Sequence, residues 1–347
     1  MNLNKILRSA FLVLSLSLGL VAAACTPSPG GTTTTSTTIP ANTWTVTLKV
    51  GVSDAMVAKY GATQLRAKVD QQFAAVNAVY GAKFSTVIKF AVNEYYVYTP
   101  TVGSDGKLSS DNERLIPHPS SDLLLLYSEN TVKDDGGWSP QTTSVGIRWT
   151  DAYGGVFGPY GDTSVIHELG HALGAIDLYG LDVDTNPVNG QTYRSPTSYM
   201  EVQWEASDFD AYSRSVINVT ARERQVNSDD HVVRTSTPSY YKVAAKTSAG
   251  AVVKNASVAV YPVEWFSRTV TATPAFTGTT DTTGVYSLPS NPFNPGTQWS
   301  KWGIQRPNFL VKITSGGYTS YGWLTLNDAG NAYFAGSPTY TLSVTVG

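Results

Sequence analysis

The sequence predicts an α+β protein in which an α/β domain precedes a small all-β sandwich. Helix-like and strand-like segments alternate up to about residue 235, whereas short strand-like segments separated by Gly and Pro clusters follow it. The chain has 347 residues, which is enough for two domains after an N-terminal targeting segment is removed. We therefore divide the folded part into residues 44–235 and 236–347.

Residues 1–24 have the features of a secretory signal peptide. Lys5 and Arg8 precede an apolar run that is too short to span a bilayer comfortably. Cys25 is the only cysteine and directly follows three alanines, which resembles the start of a mature bacterial lipoprotein. That resemblance implies lipidation of Cys25 and a membrane anchor, whereas ordinary cleavage would leave a free thiol. We expect an extracellular or envelope-held protein.

Residues 25–43 are rich in Pro, Gly, Ser and Thr, which predicts a flexible tether and no fold element. The net charge is −2 and only 14% of the residues are charged. This composition provides no basic surface for nucleic acid, so we expect no nucleic-acid partner. We expect the protein to be a monomer.

The α/β domain begins with alternating strands and an amphipathic helix. The predicted elements are a strand over 44–52, a helix over 62–80, a strand over 86–98 and a buried strand over 123–127. The helix places its large apolar residues on one face and is expected to end at Gly81. These residues are Leu65, Val69, Phe73, Val76 and Tyr80.

Val145, Ile147 and Trp149 alternate with other residues just before the next helix. This pattern predicts a half-exposed edge strand. Such a strand could pair with an extended peptide through main-chain hydrogen bonds, or it could be a plain edge of the sheet.

The most informative stretch is residues 167–177, which read H-E-x-x-H-x-x-G-x-x-D. His167 and His171 are four residues apart, so on a helix both imidazoles point the same way and can bind one metal ion. A catalytic zinc site uses three protein ligands and keeps one position open for water. Glu168 follows the first histidine, so its carboxylate can reach that water without being a ligand.

The residues after His171 are suited to supply the third ligand. Gly174 permits a left-handed exit from the helix, and Asp177 could then return an oxygen to the metal. A third ligand from Glu201 or Glu205 is the alternative, but it would leave Gly174 and Asp177 unexplained. The expected cofactor is one catalytic Zn2+.

The same motif could also lie on a surface helix without a metal. The chain has only four histidines, however, and two of them are here on an otherwise apolar helix. Buried polar groups on such a helix need a partner.

Asp182, Asp184 and Asn186 are spaced like the ligands of a calcium loop, but the following proline does not fit an EF-hand. Calcium therefore has no further support, and an Asx-rich turn is expected.

The motif, with Ser198-Tyr199-Met200 downstream, resembles the metzincin clan of zinc metallopeptidases. It is most similar to the branches with an aspartate as third ligand, snapalysin and the immune inhibitor A type. The resemblance covers about residues 44–230 and is specific only over 162–200. It implies a metzincin-like fold in which Met200 forms an apolar floor under the zinc ligands.

The sequence departs from that clan at one position. Some metzincins have a tyrosine two residues after the turn methionine, where it helps to stabilise the oxyanion, but this chain has Val202. Tyr179, Tyr193 and Tyr199 are nearby in sequence, and the sequence does not choose among them.

Residues 236–347 are predicted to form only strands. Candidate strands are 240–246, 256–263, 285–288, 309–314, 321–326 and 340–346. Residues 254–261 and the turn 280–284 resemble prealbumin-like or carboxypeptidase regulatory-like domains, which implies a prealbumin-like or Ig-like sandwich. Trp299, Trp302, Tyr318 and Trp323 could line a glycan-binding face or be ordinary core and turn aromatics.

Together these features predict an exported zinc endopeptidase that acts on proteins or peptides, with water activated by Glu168. The alternative is a non-catalytic envelope lipoprotein or adhesin that uses its β domain, although such a protein would have no use for Glu168. A zinc hydrolase with a non-peptide substrate is a third hypothesis.

Overall fold

The computed structural model describes residues 42–104, 109, 112, 116–129, 137–138, 144–148, 156–158, 160–201, 206–226, 231–294, 299–300 and 303–347. The predicted signal peptide, Cys25 and all but the end of the tether lie outside the described residues, as do Trp149, Val202, Glu205 and Trp302. Among the described residues, no helix is both long and apolar enough to cross a membrane.

A five-stranded sheet supports the N-terminal half of the structure. Its strands are β1 (Thr43–Ser53), β2 (Val87–Tyr98), β3 (Leu123–Tyr127), β4 (Gly137–Trp138) and β5 (Ser144–Ile147). They lie in the order β2-β1-β3-β5-β4, in which the first four are parallel and β4 is antiparallel to β5. All residues of β3 are buried, as the continuous apolar run predicts for a strand covered on both faces.

The strand β5 is not the half-exposed edge that the sequence predicts. Val145 and Ile147 are both fully buried, and β5 pairs with β3 on one side and β4 on the other. The prediction was wrong because the short strand β4 gave no readable pattern, yet it occupies the outer side of β5. On that side β4 already occupies the backbone of Gly146 and Ile147, so a peptide cannot pair with these two residues in this arrangement.

The helices that the structure describes in this half are α1 (Asp54–Tyr60), α2 (Ala62–Lys83), α3 (Gly161–Ala172), α4 (Ala211–Glu223) and α5 (His231–Thr235). The five apolar residues predicted for the buried face of α2 are buried, which confirms that face. The helix continues past Gly81, so the predicted stop is wrong; an interior glycine costs only about 1 kcal/mol, which is too little to end the helix by itself. The Tyr80 hydroxyl donates to the Ile166 carbonyl at 2.7 Å and joins α2 to α3.

In its described residues, the C-terminal half contains three further sheets, one of them a two-stranded pair, and one helix. Its elements are β6 (Tyr240–Lys246), β7 (Ser257–Glu264), β8 (Thr269–Val270), β9 (Phe276–Thr279), β10 (Val285–Ser287), β11 (Trp299–Ser300), β12 (Gly303–Ile304), β13 (Asn308–Ser315), β14 (Tyr318–Thr325), α6 (Leu326–Phe334) and β15 (Thr339–Thr345). One sheet has the order β10-β6-β15, and another has the order β14-β13-β7-β8 with β9 also paired to β7. The strands β11 and β12 form a separate pair.

The helix α6 contradicts the prediction that this half contains only strands. It follows β14 directly, and the Thr325 side chain caps it by accepting from the Asp328 amide at 3.3 Å. A Thr cap with an acidic residue in the first turn is a recognisable start signal, but the helix is too short for its apolar period to stand out. The mixed helix and strand content agrees with the predicted α+β class.

The two halves share one hydrophobic cluster, which includes both Trp44 and Val346. The helix α6 packs against α4, and Gly330 lies so close to Tyr212 that a Cβ atom on Gly330 would come within 2.1 Å of the ring. A smaller cluster joins Val183, which follows the metal motif in sequence, to residues of β7, β8 and β13. The division at residue 235 stays a prediction, since packing continues across it.

Gly330→Ala is expected to lower the free energy of unfolding by about 1–3 kcal/mol, because the added methyl group overlaps the Tyr212 ring. Gly81→Ala is the matched control, since a Cβ atom there meets nothing within 4 Å. That change removes a helix-interior glycine and is expected to stabilise the protein by up to about 1 kcal/mol. Urea unfolding of both variants checks this, and equal stability of the two would contradict the described contact.

Candidate metal centre

The helix α3 is buried around most of its surface, which explains its apolar sequence. Gly161 allows the helix to start against the preceding segment, because a Cβ atom there would lie 2.0 Å from the Val156 carbonyl oxygen. Gly170 allows Met200 to approach, because a Cβ atom at Gly170 would lie 2.5 Å from the Met200 sulfur. The two glycines thus seat the helix that carries both histidines.

Both imidazoles are oriented by backbone carbonyls. Nδ1 of His167 lies 2.6 Å from the Tyr199 carbonyl oxygen, and Nδ1 of His171 lies 2.8 Å from the Ala175 carbonyl oxygen. A carbonyl only accepts, so each Nδ1 carries the proton and donates it. In the neutral imidazoles each Nε2 then has a free electron pair, which is the form that binds a metal.

A left-handed turn brings Asp177 back to the histidines. Gly174 has φ of 91°, a conformation that favours glycine. The Ala175 amide donates to the Gly170 carbonyl at 3.0 Å, which closes the helix end. The chain then reverses, and Asp177 stands immediately before a short 3-10 turn, Leu178–Leu181.

Three possible ligand atoms meet at this point. The two Nε2 atoms lie 3.2 Å apart, and Oδ1 of Asp177 lies 3.2 Å from Nε2 of His167 and 3.1 Å from Nε2 of His171. Among the described residues this is the group whose His and carboxylate ligand atoms converge as they would around one metal ion. Oδ1 is buried and accepts no hydrogen bond of acceptable geometry within the described part of the chain.

This triangle fits an ion with the size and preferences of zinc. A tetrahedral ion with ligands at about 2.0–2.1 Å places neighbouring ligand atoms about 3.3 Å apart. The observed separations of 3.1–3.2 Å need only a small outward movement. Calcium fits poorly, because it takes six to eight oxygen ligands and not imidazole nitrogens.

The local charges also favour a cation. Burial alone would raise the pKa of Asp177, but the charge of His171 and the close imidazole nitrogens hold that pKa well below its usual range. Burial alone would lower the pKa of His171, but the Asp177 carboxylate raises it to about 10. Without a metal, a proton on His171 therefore supplies the positive charge that the three ligand atoms require.

Glu168 lies on the same helix and is 6% exposed. Burial raises the pKa of Glu168, while the neighbouring His167 and His171 oppose that shift. A buried carboxyl with a raised pKa beside a metal position is suited to accept and return a proton near neutral pH.

Met200 lies in a tight turn under α3 and is fully buried. The Glu201 amide donates to the Ser198 carbonyl at 2.9 Å to form the turn, and the Leu178 amide donates to the Met200 carbonyl at 2.7 Å.

The same turn also contacts the following helix. The Ser198 hydroxyl donates to Asp210, the residue that caps α4. The turn thus connects the segment after Asp177 to α4, and its methionine packs on Gly170, next to His171.

Tyr179 contacts the candidate third ligand, Asp177, in a way that the sequence does not assign. Its hydroxyl donates to Oδ2 of Asp177 at 2.6 Å, so it acts on the oxygen that faces away from the histidines. The ring of Tyr193 packs on Trp323, and the ring of Tyr199 packs on Phe209. Of the three tyrosines considered from sequence, Tyr179 is the one in hydrogen-bond contact with Asp177.

The acidic residues after the motif have partners other than calcium. Arg194 pairs with Asp184 at 2.7 Å, and Arg268 pairs with the same carboxylate at 3.5 Å. Asp182 is buried and accepts from the amide and hydroxyl of Ser195. Asn186 accepts from the Val188 amide at 3.0 Å, as predicted for an Asx-rich turn.

Other residues considered from the sequence are not shown in the converging group. Glu201 is not part of the converging group in the described residues, and Glu205 and Cys25 lie outside them. Nδ1 of His118 contacts the Ile116 carbonyl oxygen.

A cavity of about 490 Å3 opens beside Asp177. It is lined by Asp177, Tyr179, Trp265, Phe266 and Arg268. The last three come from the turn between β7 and β8, about 90 residues after the metal motif, and the sequence contains no signal that would bring them here.

Comparisons with known proteins leave the family open. No family model matches the sequence, and no curated protein matches it. One similar solved structure, described as a chaperone-substrate complex, has 13% identity and a TM-score of 0.33 over 53% of this chain and 35% of that one. Another, a point mutant of Acinetobacter radioresistens catechol 1,2 dioxygenase, has 13% identity and a TM-score of 0.19 over 31% of this chain and 52% of that one. The chain thus spans about a third to a half of these proteins, and overlaps this weak do not indicate its function.

Tyr179→Phe is expected to weaken zinc binding about 10- to 100-fold, because Asp177 loses the hydrogen bond that orients it. Tyr193→Phe is the matched control, because it also removes a tyrosine hydroxyl from a nearby loop, and the ring of Tyr193 packs on Trp323. It should leave the affinity for zinc unchanged. Competition titration with a zinc chelator dye measures both dissociation constants. Equal affinity of wild type and Tyr179→Phe would mean that the hydroxyl does not support a ligand.

Proposed function

We propose that the chain is a zinc-dependent hydrolase of peptide bonds with a metzincin-type site. The observation that carries this proposal is the convergence of two imidazole nitrogens and one buried carboxylate oxygen within 3.2 Å, with Glu168 buried on the helix that carries both histidines. His167, His171 and Asp177 would hold the ion. Three protein ligands leave a position open, as in catalytic zinc sites.

When bound, zinc would supply a Lewis acid that polarises the scissile carbonyl and makes a water molecule more acidic. Glu168 accepts the proton of the attacking water and then donates it to the leaving amine. The Tyr199 and Ala175 carbonyls hold the imidazoles in the tautomer that keeps Nε2 free. Tyr179 holds the carboxylate of Asp177 so that Oδ1 faces the histidines.

Two features support the metzincin assignment within this proposal. The Met200 side chain lies against α3 at Gly170, between the two histidines in sequence. The carbonyl of the preceding residue, Tyr199, also accepts the Nδ1 proton of His167, so the turn contacts one ligand directly. The snapalysin or immune inhibitor A type is the branch that an aspartate ligand favours.

The setting of the reaction belongs to the same proposal. A signal peptide and a lipidated Cys25 would place the enzyme outside the cell and attach it to a membrane, with protein or peptide substrates. The alternative is a non-catalytic envelope lipoprotein or adhesin that uses the β region. The buried Glu168 favours the enzyme. Burial raises the pKa of this carboxyl, so keeping it charged in the interior lowers the stability of the fold, and a non-catalytic protein would gain nothing in return.

Glu168→Gln is expected to lower peptide hydrolysis by at least about 100-fold, because the proton acceptor is lost while the shape is kept. Its zinc content should equal that of wild type, since Glu168 is not one of the converging ligands. Casein or peptide hydrolysis with and without a chelator measures the first quantity, and atomic absorption measures the second.

Glu94→Gln serves as the matched control, because Glu94 on β2 pairs with Lys49 on β1 and is partly exposed. It should hydrolyse the same substrate at the wild-type rate. Normal hydrolysis by Glu168→Gln, or hydrolysis by wild type that a chelator does not block, would contradict the proposal.

A further inference from the structure

The cavity beside Asp177 has a wall that belongs to the C-terminal β region. We propose that the turn Trp265–Arg268 is a substrate-specificity element, in which Phe266 and Trp265 hold a large apolar side chain of a peptide substrate next to the metal centre. This inference rests on the proposed function and names the substrate class. The turn lies outside the stretch over which the sequence resembles metzincins.

Hydrogen bonds and packing hold the turn against residues 180–185, the segment after Asp177 that we call the metal loop. The Asp184 amide donates to the Arg268 carbonyl at 2.9 Å, and the Val270 amide donates to the Thr185 carbonyl at 2.9 Å. The indole of Trp265 lies on Gly180, where a Cβ atom would come within 2.1 Å of Nε1. Arg268 has φ of 48°, a left-handed conformation that a non-glycine residue adopts at a cost. These contacts fix the position of the turn, which forms one wall of the cavity.

The surface that this wall offers is aromatic. Phe266 is 80% exposed, although large apolar side chains are usually buried, and it stacks on Trp265 with ring centroids 5.2 Å apart. Burying such a ring in a complex removes apolar surface from water, which is favourable. The exposed ring is thus available to a ligand in the cavity.

The charges of the cavity select a neutral group. The guanidinium of Arg268 lies over the Tyr179 ring at 5.8 Å and pairs with Asp184 at 3.5 Å. Arg268 also lies 4.0 Å from Asp182, and Arg194 shares both carboxylates, so two guanidinium groups face two carboxylates. The charge of Arg268 is therefore already compensated, and an anionic substrate group would have to compete with these carboxylates. The volume of about 490 Å3 suits one or two side chains and is within the roughly 300–1,000 Å3 of small-ligand sites.

Phe266→Ala tests the inference in the zinc-loaded full chain. Wild type should prefer peptides with Phe, Leu or Met at one position near the scissile bond, and the variant should cut them with kcat/KM lowered about 10- to 100-fold. Peptides with Ala or Gly at that position should be cut equally by both proteins. Phe266→Leu should restore most of the preference.

Tyr318→Ala is the matched control, because it truncates another exposed aromatic residue, 62% exposed and away from the residues that line the cavity. It should keep the wild-type preference. A ranking of peptides that Phe266→Ala leaves unchanged, or a loss of preference in Tyr318→Ala as well, would overturn the inference.

A binding measurement separates this inference from the proposed function. Fluorescein-labelled peptides with Phe or Ala at the preferred position are titrated into Glu168→Gln, with and without Phe266→Ala. Tighter binding of the Phe peptide that disappears with Phe266→Ala supports the specificity element even if wild type cuts nothing, in which case only the proposed function fails. Equal binding of both peptides to Glu168→Gln overturns the inference even if wild type is an active peptidase.

Discussion

Three electron-pair donors lie within 3.2 Å of one another in the interior: the Nε2 atoms of His167 and His171 and Oδ1 of Asp177. Their electron pairs repel one another unless a positive charge lies between them. A proton can provide it, as the raised pKa of His171 indicates, but a proton satisfies only some of the three atoms at once. A tetrahedral metal ion can satisfy all of them. Much of the surrounding structure holds these atoms in place.

That support comes from distant parts of the chain. The helix α2 reaches α3 through the Tyr80 hydroxyl, and the turn at Met200 reaches the helix through the Tyr199 carbonyl and Gly170. The segment that carries Asp177 is tied to the C-terminal half, since Asn308 donates to the Leu181 carbonyl at 2.9 Å. The C-terminal half therefore contacts the segment that carries the candidate third ligand, and the two halves also share one hydrophobic cluster.

The sequence predicted well wherever a single element carried the signal. The buried face of α2, the apolar strand β3 and the histidine pair follow from periodicity and spacing that need no knowledge of neighbours. It predicted poorly where a neighbour decides the outcome. The strand β5 was expected at an edge because the short strand β4 has no readable pattern, and α6 was missed because a short helix shows little periodicity.

The residues of the candidate site fall into the same two groups, those that the sequence predicts and those that depend on distant neighbours. His167, Glu168, His171 and Asp177 lie within one short stretch, so local geometry largely determines where they meet. The Tyr179 hydroxyl could not be chosen among three tyrosines, because its direction depends on the 3-10 turn that follows Asp177. Trp265 and Phe266 reach the cavity only through long-range packing of the β7–β8 turn on the metal loop, which no local pattern encodes.

X-ray absorption at the zinc K edge of the full chain loaded with one equivalent of zinc tests the central claim most directly. The account predicts four nitrogen or oxygen neighbours at about 2.0–2.1 Å, with outer-shell scattering from two imidazoles. The same measurement on Asp177→Ala should retain the scattering from both imidazoles and show a changed edge shape, because water replaces the carboxylate ligand. Sulfur in the first shell, scattering from only one imidazole, or a spectrum unchanged by Asp177→Ala would contradict a centre made of His167, His171 and Asp177.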